Sequence, residues 1–112
     1  MILDIAQVAA CVMTAATGVL SLVAPRSTPG FTGLSPQGGR GISEIRAVLG
    51  GLFIALGVAP LVWGGDTFRM LGAGYLAIAA VRIVSIFFDK ASIRSNWISL
   101  AVEIVFGVLL VL

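Results

Sequence analysis

Four apolar segments of similar length account for most of this chain of 112 residues. They run over about residues 2–24, 42–63, 68–88 and 96–112. A helix needs about 20 residues, each adding 1.5 Å, to cross a hydrocarbon layer about 30 Å thick. The first three segments reach that length, and the fourth is slightly shorter. The pattern therefore predicts four membrane-spanning helices.

The charge content indicates the same class of protein. Only 11% of the residues are charged and 59% are hydrophobic, whereas a soluble domain has about 25% charged residues. We expect an all-α integral membrane four-helix bundle that forms one domain over residues 1–112. Both termini then lie on the same side, because the number of spans is even. The net charge of +2 without a basic cluster indicates no nucleic-acid partner.

The connections between the spans predict the orientation. The connections 25–41 and 89–95 share one side and hold four of the seven basic residues, whereas Arg69 is the basic residue of the other side. The positive-inside bias therefore predicts that both connections face the cytoplasm from the cytoplasmic (inner) membrane, with external termini. The 25–41 connection contains three prolines and five glycines, which predicts little regular structure over most of it.

Residues near the start of the second span have ordinary structural interpretations. Ser43 is a plausible N-cap, and Glu44 would lie in the first turn, where the helix dipole favours an anion. Arg26 and Arg40 in the preceding connection are candidates for contact with lipid phosphates. A flexible connection without ligand contact is the simpler alternative.

Three charged residues lie farther inside the apolar segments than the others. Glu103 lies in the fourth, Arg82 in the third and Arg46 in the second, all in the same half of the predicted membrane. An ionised carboxylate in hydrocarbon costs at least about 2.5 kcal/mol, so a partner is expected. The structural interpretation is an ion-paired cluster that holds three helices in register. The alternative is a proton or substrate site, which two neighbouring arginines disfavour because they keep a carboxylate ionised.

Small residues recur at four-residue spacing within the spans. Helix association in lipid depends on close approach at such residues, because lipid tails are as apolar as leucine. The spacing predicts helix packing through Ala10, Gly18, Gly51, Ala55 and Gly107. Stripes on several faces would also suit contact with a partner protein, and chance spacing in a chain rich in alanine and glycine is the alternative.

The second span contains a short recognisable pattern. Residues 41–51 read GISEIRAVLGG, with Gly57 beyond them. This segment resembles the Arg-Ala-x-x-Gly-Gly pattern of an uncharacterised bacterial family of small four-span membrane proteins with a domain of unknown function. Arg82 and Glu103 also fit that family. The resemblance covers nearly the whole chain and implies a four-helix membrane fold, with no known activity and no catalytic residue to transfer.

The residue inventory limits the functions to consider. The chain has no histidine and one cysteine, so it lacks a nucleophile–base arrangement, and we expect no enzyme activity and no cofactor. We expect a non-catalytic accessory subunit of a larger membrane complex, such as a lipid transport system. Its partners would be the lipid bilayer and other membrane subunits or further copies of itself. The alternatives are a small proton-coupled transporter and a bundle that binds a lipid or quinone-like ligand, each using Glu103.

Overall fold

The computed structural model describes residues 1–112, apart from the side chain of Phe31. It contains four long helices, α1 (Ile2–Val23), α2 (Gly38–Trp63), α3 (Asp66–Phe88) and α4 (Arg94–Val111). Each is long and apolar enough to cross a membrane, and no strand occurs in the described part of the chain. These helices confirm the all-α class and the four spans, and their even number returns both termini to one side.

The start of α2 differs from the predicted one. The helix begins at Gly38 after Gln37, whose backbone is extended (φ −111°, ψ 111°) and whose side chain makes no capping hydrogen bond. Ser43 therefore lies inside the helix, and the predicted N-cap at Ser43 is wrong. Glu44 likewise lies beyond the first turn, where it accepts a hydrogen bond from Arg40 Nε at 3.1 Å.

The connection between α1 and α2 is more regular than its glycines and prolines predict. A 3-10 turn spans Pro25–Ser27 and a short helix spans Pro29–Thr32. Each begins with proline, which has a φ suited to the first turn of a helix and lacks the N–H group that would be unsatisfied there. The buried hydroxyl of Thr28 donates to the carbonyl oxygen of Pro25 at 2.8 Å.

The helix α2 changes type along its length. Residues Gly38–Glu44 are α-helical, Ile45–Leu52 form a π-helix, and Phe53–Trp63 are again α-helical, with Pro60 inside. A π-helix has more residues per turn than an α-helix. The face that a residue occupies after such a segment therefore differs from the face that α-helical spacing predicts.

The chain clusters into two compact units. The N-terminal unit comprises residues 8–62, and the C-terminal unit comprises residues 1–7 and 63–112. The prediction of one domain over residues 1–112 stays a prediction.

In the N-terminal unit, α1 packs antiparallel against α2 at glycines. A methyl group added at Gly18 would lie 2.7 Å from the carbonyl oxygen of Gly50, and one added at Gly57 would lie 2.5 Å from the carbonyl oxygen of Cys11. Ala10 is also buried. Glycine is required at these positions because the two backbones approach too closely for a side chain.

Two of the predicted packing residues of α2 do not pack inside the chain. Gly51 and Ala55 are exposed, whereas Gly50 and Gly57 are buried. Gly51 and Ala55 therefore lie on a different side of α2 from the two glycines that meet α1. Helix packing through Gly51 and Ala55 outside this chain stays a prediction.

In the C-terminal unit, α3 and α4 form an antiparallel pair. Gly107 approaches Leu76 so closely that a methyl group added there would lie 2.6 Å from a Leu76 methyl carbon. The rings of Tyr75 and Phe106 meet edge to face at 5.5 Å between centroids. The side-chain amide of Gln7 donates to the carbonyl oxygen of Leu109 at 2.8 Å, which brings the first turns of α1 to the last turn of α4.

Candidate functional site

The C-terminal unit holds an ion pair between its two long helices. The guanidinium group of Arg82 on α3 donates two parallel hydrogen bonds to Glu103 on α4, from Nε to Oε1 and from Nη2 to Oε2, each 2.7 Å long. The Glu103 side chain is 10% exposed and the Arg82 side chain 30% exposed. Bidentate arginine–carboxylate pairs are among the strongest hydrogen-bonded contacts in proteins. The pair fixes α3 against α4.

The pair forms because both side chains lean toward each other along the helix axes. Arg82 lies six residues, or about 9 Å, before the end of α3, whereas Glu103 lies nine residues, or about 13 Å, after the start of α4. Side chains lean toward the N-terminus of their own helix. The antiparallel helices therefore direct Arg82 toward the middle of the span and Glu103 back toward Arg82.

Asn96 completes the cluster. Its Oδ1 accepts a hydrogen bond of 2.7 Å from Arg82 Nη1, and its Nδ2 donates to the carbonyl oxygen of Ala91 at 3.0 Å. Asn96 therefore connects the ion pair to the turn between α3 and α4. Asn96 is not among the site residues predicted from the sequence, although an amide in the first turn of α4, on the side of the membrane to which Arg82 is nearer, is a usable signal.

The third predicted member, Arg46, makes its hydrogen bond elsewhere. It belongs to the N-terminal unit, where its Nε donates to the carbonyl oxygen of Leu22 at 3.1 Å. Leu22 lies in the last turn of α1, where carbonyl groups lack a partner within the helix and a cation is favoured by the helix dipole. Arg46 therefore stabilises the C-terminal end of α1. A backbone acceptor leaves no signal in the sequence.

The remaining predicted residues have simple surroundings. Arg40 and Glu44 form an exposed pair one helical turn apart, and such pairs contribute little to stability. Arg26 is exposed in the 3-10 turn that follows α1. Contact of Arg26 and Arg40 with lipid phosphates stays a prediction.

A cavity of about 560 Å³ opens beside the ion pair, entirely within the C-terminal unit. Its walls combine apolar and polar side chains, namely Ala77, Ile78, Val81, Arg82, Ser85 and Asn96. Most of these residues repeat along one side of α3. The cavity therefore has an apolar part toward Ala77 and a polar part at Arg82, Ser85 and Asn96.

A second cavity of about 450 Å³ lies in the N-terminal unit beside Arg46. It is lined in part by Leu22, Ser43 and Ala47. Among the residues that the structure describes, no cluster of histidine, cysteine and carboxylate side chains could hold a metal ion. The site is thus an amphipathic cavity next to a bidentate ion pair.

The comparisons with known proteins agree with this architecture at the level of the family. No curated protein and no solved structure matches the chain. Residues 2–112 match a family described as a domain of unknown function, DUF4345. The match covers almost the entire chain, and the four apolar helices fit a small membrane protein. The chain therefore belongs to the DUF4345 family.

Proposed function

We propose that this protein is a non-catalytic accessory subunit of a larger membrane complex. The observation that carries the proposal is an exposed stripe of small residues on α2, formed by Ala47, Gly51 and Ala55 and called here the α2 stripe. Small residues at four-residue spacing let helix backbones approach closely in lipid. The α2 stripe is therefore suited to contact a helix of another subunit.

The packing inside the N-terminal unit leaves the α2 stripe available. Gly50 and Gly57 meet α1, whereas the nearest described atom to a methyl group added at Gly51 is the carbonyl oxygen of Arg46, at 3.9 Å. A larger side chain at Gly51 thus has room within this chain. The same side chain would block a neighbouring helix from approaching the α2 stripe.

The distribution of basic residues supports a proposal for the membrane and the orientation of the protein. We place the protein in the cytoplasmic membrane, with residues 25–41 and 89–95 on the cytoplasmic side, because these two connections carry four of the seven basic residues. Lipid transport systems and respiratory assemblies are the classes of complex in which we expect the partner subunit.

A proton-coupled transporter that works through Glu103 is the weaker alternative. Proton transfer would require Glu103 to separate from Arg82, with which it shares two hydrogen bonds of 2.7 Å. Breaking a bidentate pair inside a span strands a charge in each transport cycle. The geometry therefore favours a structural role for this pair.

Substitution of Gly51 tests the proposal. We expect the tagged wild-type protein, extracted from its own membranes, to appear in native mass spectrometry with a companion subunit in constant stoichiometry. Gly51→Leu should release that companion, because leucine covers the α2 stripe. The matched control is Gly74→Leu on α3, where an added methyl group likewise finds open space; it should retain the companion.

Three results would contradict the proposal. The wild-type protein could run alone in mild detergent, or it could associate only with copies of itself. Alternatively, Gly51→Leu and Gly74→Leu could retain the companion equally, which would show that the α2 stripe is not the contact.

A further inference from the structure

We propose that the cavity beside Arg82 binds an apolar molecule with a neutral carbonyl group, whose oxygen accepts hydrogen bonds from Arg82. The cavity has a volume of about 560 Å³ and lies within α3 and the start of α4. This inference does not depend on the accessory-subunit proposal, because it involves neither α1 nor α2.

The donor inventory of Arg82 indicates an additional acceptor. A guanidinium group has five N–H bonds, and the contacts to Glu103 and Asn96 use three of them. The Arg82 side chain is 30% exposed and lines the cavity. An N–H group that faces hydrocarbon without an acceptor is destabilising. An oxygen atom in the cavity would remove that cost.

The charges around the cavity favour a neutral ligand over an anionic one. Glu103 already neutralises Arg82. Ser85, at the same end of the cavity, donates to the carboxylate of Asp89 at 2.6 Å. A phosphate group would therefore meet a neutral pair and a nearby negative charge. A carbonyl oxygen accepts the free N–H groups of Arg82 without that repulsion.

The fixed position of the Arg82 guanidinium also disfavours a phosphate. Glu103 and Asn96 hold this group by three hydrogen bonds, so it cannot extend toward the lipid headgroups while these bonds persist. The walls toward the membrane centre are apolar, at Ala77, Ile78 and Val81. They suit an acyl chain or an apolar ring. The ester carbonyl of a membrane lipid and the ring carbonyl of a quinone share this chemistry.

Native mass spectrometry of the full chain with three probes tests the inference. It also distinguishes a lipid ester from a quinone as the source of the carbonyl group. The probes are a decyl benzoquinone, a diester phosphatidylcholine, and a dialkyl-ether phosphatidylcholine that lacks carbonyl groups. We expect the quinone or the diester lipid to bind, and the ether lipid to bind about tenfold or more weakly because it leaves the Arg82 donors unpaired. A bound ¹³C-labelled carbonyl should show a lowered stretching frequency in infrared spectra.

Cavity-filling variants locate the binding. Val81→Trp should weaken binding by about tenfold or more, because the indole occupies the cavity. The matched control is Val84→Trp on the same helix, at a residue that is similarly exposed and does not line the cavity. Ala77→Leu narrows the same cavity and replaces Val81→Trp if the tryptophan variant does not fold.

The inference is overturned if none of the probes binds, or if the ether lipid binds as tightly as the tighter of the two probes that contain a carbonyl group. Stronger binding of an anionic lipid than of a neutral lipid with the same acyl chains would also overturn it. Equal binding by the Val81→Trp and Val84→Trp variants would show that the ligand lies elsewhere.

Discussion

The carboxylate of Glu103 lies near the middle of α4 and is stabilised by geometry as well as by charge. The planar guanidinium of Arg82 matches both carboxylate oxygens at 2.7 Å, which a lysine ammonium group could not do. Within the described side chains, no buried nitrogen or oxygen atom lacks a hydrogen-bond partner. Glu103 is therefore accommodated in the span as part of a hydrogen-bonded pair.

Removal of either Arg82 or Glu103 alone should destabilise the protein more than removal of both. Arg82→Leu and Glu103→Leu should each lower the free energy of unfolding by about 3–5 kcal/mol, because each leaves an unpaired charge in the span. The double variant should lie within about 1 kcal/mol of the wild type. Unfolding in mixed detergent micelles, followed by circular dichroism, measures these differences.

The exposed pair of Asp66 and Arg69 supplies the control. Their atoms Oδ1 and Nη1 are 3.0 Å apart, and both side chains are well exposed. Arg69→Leu should change the unfolding free energy by less than about 1 kcal/mol. Equal stability of all three variants at Arg82 and Glu103 would show that this pair does not stabilise the fold.

Among the elements, α2 carries small residues on two different sides. Its π-helix, Ile45–Leu52, precedes the α-helical segment that carries Gly57. The residues that meet α1 are Gly50 and Gly57, seven positions apart, and the α2 stripe is directed elsewhere. Gly57 and Gly51 of this helix thus have different roles, and substitution of each should distinguish these roles.

We expect Gly57→Ala to destabilise the protein by about 1–3 kcal/mol, because the added methyl group overpacks the contact. That methyl group would lie 2.5 Å from the Cys11 carbonyl oxygen and 2.6 Å from the Ala15 backbone nitrogen, which are backbone atoms that cannot move aside independently. Gly51→Ala has room and should be neutral or stabilising by up to about 1 kcal/mol, since alanine favours helix more than glycine does. Detergent unfolding curves measure both variants, and equal destabilisation would contradict the assigned packing face.

The whole molecule is a multi-pass membrane protein of the DUF4345 family. Its connections differ in length and structure. The 25–41 connection contains short helical turns, whereas the connection between α2 and α3 consists of two glycines with positive φ. These connections lie at opposite ends of α2. A membrane in which the helices span fully would separate them.

Cysteine labelling should establish the orientation. In a Cys11→Ala background, we expect Ser35→Cys and Ser92→Cys to react with a membrane-impermeant maleimide only after the cells are opened. Asp66→Cys should react in intact cells. All three residues are exposed. The reverse pattern would contradict the charge-based orientation, and labelling of all three from one side would contradict four spans.

Much of the fold is predictable from this sequence, because a bilayer restricts the possible structures severely. In lipid, backbone polar groups must be satisfied within a helix or a closed barrel, so long apolar segments leave few alternatives to helices. The candidate site is predictable only in part. Arg82 and Glu103 are visible as charges in apolar segments, whereas the role of Asn96 depends on how α3 and α4 align.

The amino-acid sequence by itself determined the class, the number of helices and the need for a partner of Glu103, because each follows from the cost of polar groups in hydrocarbon. The tertiary structure alone decided that Arg82 is that partner and that Arg46 contacts Leu22. It also decided which glycines of α2 face α1. These outcomes depend on distances of a few ångströms between helices, and such distances are set by side-chain packing rather than by composition.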